Sequence, residues 1–107
     1  MGIGVDIVKV DRFHLDHIHF IKRVLTPKEY EIFLSYSLPQ RRLEYLAGRF
    51  AGKEAYMKAC HKGIGHLSFL DIEILNDEFG APYLNDIEAE ISISHEKDYA
   101  IAFVVKK

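Results

Sequence analysis

At 107 residues, 49% of them hydrophobic, the chain can bury one modest core and is too short for two ordinary domains, so a single domain over 1–107 is expected. Its 28% charged residues and thirteen aromatics exclude a disordered or fibrous chain, and a net charge of −2 excludes a wholesale nucleic-acid binder, leaving any anionic partner to a local basic patch. The lone Cys60 offers neither a disulfide nor a metal-binding pair and suits a reducing cytoplasm; no apolar run nears the roughly 20 residues that span a bilayer, and neither a secretory nor a myristoylation signal opens the chain.

In chain order, "GIGVDIV" alternates, with Ile3, Val5 and Ile7 on one side and Gly4, Asp6 and Val8 on the other, which predicts a first strand with an acid inside it. Residues 11 to 23 space their apolar side chains loosely and predict a short helix or turn. "TPKE" is sharper: Thr26 as N-cap, Pro27 at the first helical position and Glu29 three residues after the cap predict a helix over about 27 to 36. Pro39 then opens the longest helix, running through "QRRLEYLAGRFAGKEAYMKAC" until Gly63 and Gly65 stop it. Beyond it "FLDIEIL", "IEAEISIS" and "DYAIAFVV" predict strands, with "NDEFGAPYL" as a turn-bearing link. The fold class expected is α+β, helices packed on a mostly antiparallel sheet.

Wound at about 100° per residue, the long helix gathers Leu43, Leu46, Ala47, Phe50 and Met57 on one stripe, with the Glu54 carboxylate near its middle. Such an acid needs a partner: either an i,i+4 pair with Lys58 at the core margin or a metal ion. Asp6 poses the same question, with backbone amides as the plain answer. Two acids from distant elements, each set in apolar sequence, match the sparse ligation that Mg²⁺ takes from proteins when substrate phosphates supply its other ligands. A second face of the helix carries Gly48, Gly52, Ala55 and Ala59, spaced for close approach of another element or subunit; its charged neighbours exclude a lipid setting. His95 ends the "ISIS" strand, where a lone histidine is usually a surface residue, and the other five histidines form no convincing zinc set. "HKGIGH" lacks the GK[ST] ending of a P-loop and reads as a helix cap and turn whose amides and Lys62 are available to a phosphate.

Together "GIGVDIV", "LAGRFAGKEAYMKA", "KGIG…LSFLDIEILNDEFGAPYL" and "SISHEKDYAIAFVV" resemble, in order and spacing over nearly the whole chain, the holo-acyl-carrier-protein synthases, the short bacterial type of 4′-phosphopantetheinyl transferase. The resemblance implies transfer of the 4′-phosphopantetheine arm of coenzyme A to a serine of apo-acyl carrier protein, with release of adenosine 3′,5′-bisphosphate, as a step in fatty acid biosynthesis. It puts Mg²⁺ on Asp6 and Glu54, gives Lys58 the charge that develops in transfer, and assigns Arg49, Lys58, Gly63, Gly65 and His95 to coenzyme A. The base for the serine proton is left between Glu54 and a metal-held water. It implies a homotrimer with active sites between subunits, and an acidic carrier protein met by Lys9, Arg12, Lys22, Arg23 and Lys28, a patch that Asp11 and Asp16 dilute. Departures are local: Glu96 stands where threonine is frequent, "NDIEAE" is short, and "CHKGIG" replaces "LGTGIG". Two rival readings use the same residues: a non-catalytic metal- or nucleotide-binding module, and a structural oligomer with Glu54 and Lys58 as a plain ion pair.

Overall fold

The computed structural model describes residues 1–61 and 67–107. The alternating opening forms strand β1 (Gly2–Lys9), followed by a 3-10 turn at Val10–Arg12 and a short helix α1 (Ile18–Val24). Helix α2 (Pro27–Ser35) starts on the expected capping box: the Thr26 hydroxyl accepts from the Glu29 amide at 3.3 Å, and the Thr26 amide donates to Glu29 Oε1 at 2.8 Å. Helix α3 (Pro39–Cys60) is the long element. It ends at His61, a non-glycine residue with a positive φ of 52°, while the glycines expected to stop it, Gly63 and Gly65, lie outside the described residues.

The β half departs from the expected strands in two places. Phe69–Asp71 is a 3-10 turn, because Asp71 Oδ2 caps the Ser68 amide at 2.9 Å and curls the chain back; only Ile74–Asn76 (β2) of "FLDIEIL" is strand. Pro82–Leu84, read as part of a link, pairs with β2 as β3. The turn between them is held by Asp77, whose Oδ1 accepts from the amides of Phe79 and Ala81 at 2.9 Å each, with Gly80 at φ 85° where a side chain would be strained. Strands β4 (Ala89–His95) and β5 (Tyr99–Lys106) complete an antiparallel sheet of order β1-β5-β4.

Helix α3 lies along one face of that sheet and also meets α1, α2 and β2, so its middle is buried nearly all round. The small residues make this possible. Gly2 and Gly4 of β1 sit against the carbonyls of Ala59 and Ala55, where any Cβ would collide with backbone. Gly52 sits against Ile74 and Ile91, and Ala100 and Ala102 of β5 are buried beneath the helix. The small-residue face of α3 is thus a packing surface inside the chain. The other face of the sheet is apolar and open: Ile3, Val5 and Ile7 alternate outward from β1, and Tyr99, Ile101 and Phe103 from β5, each at least 40% exposed. Val5 stands opposite Phe103, and Ile7 opposite Ile101.

The fully buried acid is one that the sequence presented only as a cap. Glu29 and Lys53 are both 0% exposed and form an ion pair at 2.6 Å. Lys53 Nζ also donates to the Val24 and Phe69 carbonyls, at 2.6 and 3.0 Å, and Glu29 Oε2 accepts from the Ile74 amide at 2.7 Å. Burial pulls the Lys53 ammonium below the usual lysine range, against the opposing pull of Glu29. One pair therefore ties the end of α1, the start of α2, α3, the 3-10 turn and β2 together.

Candidate active site

Of the expected site residues, Asp6 and Lys58 are brought together directly. Strand β1 runs antiparallel along α3, Gly2 against Ala59 and Gly4 against Ala55, and Asp6 is the next residue on the same face. Lys58 Nζ donates to Asp6 Oδ1 at 3.2 Å and to the Val5 carbonyl at 3.0 Å. The other carboxylate oxygen, Asp6 Oδ2, is buried and has no hydrogen-bond partner among the described residues. A buried acceptor left bare is costly, so the geometry is that of a carboxylate held by one oxygen and open at the other.

Glu54 is half-buried at the margin of the core, not in its middle. The wheel misjudged it because α3 is covered on several sides, so the apolar stripe alone does not define the buried face. The i,i+4 pair with Lys58 is not formed: Lys58 turns to Asp6, and Glu54 makes no ion pair among the described residues. No group of three or more histidine, cysteine, aspartate or glutamate side chains among the described residues is placed to hold a metal ion.

Arg49 and His95 lie elsewhere. At about 100° per residue, Arg49 is about 140° around α3 from Glu54 and about 180° from Lys58. The two line a cavity of about 270 Å³ with Arg41, Glu44, Tyr45, Asn76 and Pro82. Arg49 is buried, its Nε donating to the Ile74 carbonyl at 3.2 Å and an Nη to the Asn76 amide oxygen, with its guanidinium 4.4 Å from the Tyr45 ring centre. Burial pushes the Tyr45 phenol up to about 12, so this wall stays a neutral hydroxyl at neutral pH. Gly63 and Gly65 lie outside the described residues.

The basic residues from the end of β1 onward, Lys9, Arg12, Lys22, Arg23 and Lys28, are all exposed. Arg12 is braced 4.9 Å above the Phe50 ring and Lys22 5.3 Å from that of Tyr30, with Ile18 exposed on the same short helix. Glu44, Tyr45 and Asn76 in the cavity wall went unread in the sequence; the one signal for Glu44 was its i,i+3 spacing from Arg41, which resembles an ordinary surface pair.

Comparison with known proteins bears on this arrangement. The family described as the 4′-phosphopantetheinyl transferase superfamily matches residues 2–104. A holo-[acyl-carrier-protein] synthase of Geobacillus sp. is 48% identical, with 98% of this chain and 94% of that protein covered, and one of Exiguobacterium sp. is 50% identical, with 98% and 90% covered. Among solved structures, the Bacillus anthracis holo-(acyl-carrier-protein) synthase in complex with CoA (3′,5′-ADP) superposes with a TM-score of 0.88 at 43% identity, covering 98% of this chain and 94% of that one. The Helicobacter pylori enzyme in complex with coenzyme A gives 0.82 at 35%, covering 98% and 99%. With the match running from β1 through β5, in one fold and at this identity, the chain belongs to the 4′-phosphopantetheinyl transferase superfamily and groups within it with the holo-[acyl-carrier-protein] synthases.

Proposed function

We propose that the chain, as one transferase domain, moves the 4′-phosphopantetheine of coenzyme A onto a serine of apo-acyl carrier protein, with Asp6, Glu54 and Lys58 at the reacting diphosphate. The observation that carries the site is the Asp6 carboxylate, pinned by Lys58 at one oxygen and bare and buried at the other. Hard carboxylate oxygens, one unsatisfied and a second acid unpaired, fit Mg²⁺, which takes one or two carboxylates and completes its shell with water and substrate phosphate. Bound there by Asp6 and Glu54, the ion supplies charge neutralisation at the diphosphate.

The chain's own residues do the rest. The serine oxygen, its proton passing to Glu54 or to a water beside it, forms a bond to the β-phosphorus while the bond from that phosphorus to the bridging oxygen breaks, and adenosine 3′,5′-bisphosphate leaves with the electrons. Lys58, already aimed at this spot by Val5 and Asp6, places an ammonium where the leaving oxygens gain charge. The Arg49 and His95 cavity takes the phosphate that is not at the diphosphate, the 3′-monoester. Because that cavity lies across α3 from Lys58, one chain offers two half-sites. Joining copies through the apolar outer face of the sheet, as a homotrimer with active sites between subunits, brings unlike halves together. The exposed basic surface around α1 suits an acidic carrier protein. Among the described residues no helix is long and apolar enough to cross a membrane, and the setting proposed is the cytoplasm.

Intact mass spectrometry of apo-acyl carrier protein after incubation with coenzyme A and Mg²⁺ tests this. The expected gain is one phosphopantetheine mass, abolished by EDTA and slowed about 100-fold or more in Asp6→Asn and Glu54→Gln. Conversion that survives chelation and both substitutions would remove the metal site; coenzyme A binding without any conversion would leave a non-catalytic binding module.

A further inference from the structure

The cavity that holds Arg49 and His95 also holds an acid. Glu44 lines it with a side chain only 13% exposed, and a carboxylate in a phosphate pocket repels the ligand unless cations stand between them. Here they do. Glu44 Oε1 lies 3.6 Å from His95 Nδ1 and 3.9 Å from Arg41 Nε, while Oε2 accepts from the Gln40 amide at 2.9 Å. The same Gln40 amide donates to the Lys97 carbonyl at 3.1 Å, so the carboxylate is tied to the turn that follows His95. The His95 and Arg41 side chains are 40% and 52% exposed, long or terminal groups that solvent alone does not orient.

We propose that Glu44 is a positioning residue for His95: its carboxylate engages the Nδ1 edge of the imidazole and leaves Nε2 for the 3′-phosphate of coenzyme A. The inference rests on reading His95 as a phosphate contact. A neutral ring that donates from Nδ1 to Glu44 presents a lone pair at Nε2 and repels a phosphate. An imidazolium donates from both nitrogens and satisfies carboxylate and phosphate together, so an acid at the Nδ1 edge aims the opposite edge of the ring at the phosphate.

The test is steady-state kinetics of Glu44→Gln, His95→Ala and the double variant, each with coenzyme A and with dephospho-coenzyme A, which lacks the 3′-phosphate. Glu44→Gln is expected to raise KM for coenzyme A about fivefold with kcat within about twofold, to leave KM for dephospho-coenzyme A as it was, and to add nothing in the His95→Ala background. Glu44→Asp, which keeps the charge, restores part of the loss and serves if the glutamine variant does not fold. An equal rise for both substrates, or an undiminished effect of Glu44→Gln without His95, would reduce Glu44 to a structural residue. Wild-type KM for coenzyme A in His95→Ala alone would show instead that His95 is no phosphate contact, and Glu44 would lose its role with it.

Discussion

The Glu29 to Lys53 pair shows how much a single residue can carry. Both groups are desolvated, and their cost is offset because each remaining donor or acceptor also meets backbone from another element. Removing one partner leaves an uncompensated buried charge. Lys53→Met should therefore destabilise the chain by about 3–5 kcal/mol in urea unfolding, more than replacing both members together with Glu29→Leu. Asp86 offers a second case, at the surface. Hydrogen bonds from Lys106 and Tyr56, at 2.8 and 2.6 Å, hold its carboxyl down at about 2. A folded value below the unfolded value near 4 means stability that is present above that range and is lost as pH falls toward 2. Asp86→Asn should flatten the acid limb of the stability curve between about pH 5 and 2, by about 1 kcal/mol, read from unfolding midpoints across that range.

At the scale of elements, the contact between β1 and α3 decides both packing and chemistry. Gly2 and Gly4 have no room for a Cβ because helix carbonyls occupy it, and the next residue on that face is Asp6. Gly4→Ala should push the strand off the helix, costing about 1–3 kcal/mol in stability. It should also lower turnover more than it lowers coenzyme A affinity, because it moves Asp6 relative to Lys58 and leaves the Arg49 cavity alone; thermal unfolding and paired kcat and KM measurements check both. The strand, the long helix and the capping box were readable because alternation, helical spacing and the Thr26 and Glu29 pattern are local. The 3-10 turn at Phe69–Asp71 was missed because its cap competes with the strand pattern of "FLDIEIL", and pattern alone does not rank the two.

At the scale of the whole molecule, the outward face of the sheet stands out. Ile3, Val5, Ile7, Ile101 and Phe103 form a contiguous apolar surface on strands that are otherwise well packed, the kind of patch that marks an interface. If the proposed homotrimer forms through this face, Val5→Glu, opposite Phe103, should yield a folded but smaller species in sedimentation and lose transfer activity, since each half-site would then lack its complement. Retention of full activity in a monomer would show that one chain completes the site.

The sequence by itself determined the order and type of most elements and the α+β class, and it singled out Asp6 and Glu54 as acids in apolar surroundings, because spacing and capping are properties of neighbours along the chain; Lys58, Arg49 and His95 became site candidates through the family resemblance. Tertiary structure alone decided which acid is deeply buried, that Lys58 turns to Asp6 and away from Glu54, that the small face of α3 packs on its own sheet, and that Glu44 joins His95 in the cavity beside Arg49. Each of these pairs residues about 15 to 60 positions apart or turns on what covers a helix from several sides. A helical wheel or a strand pattern fixes which side chains share a face, and only the packing of elements fixes what that face meets.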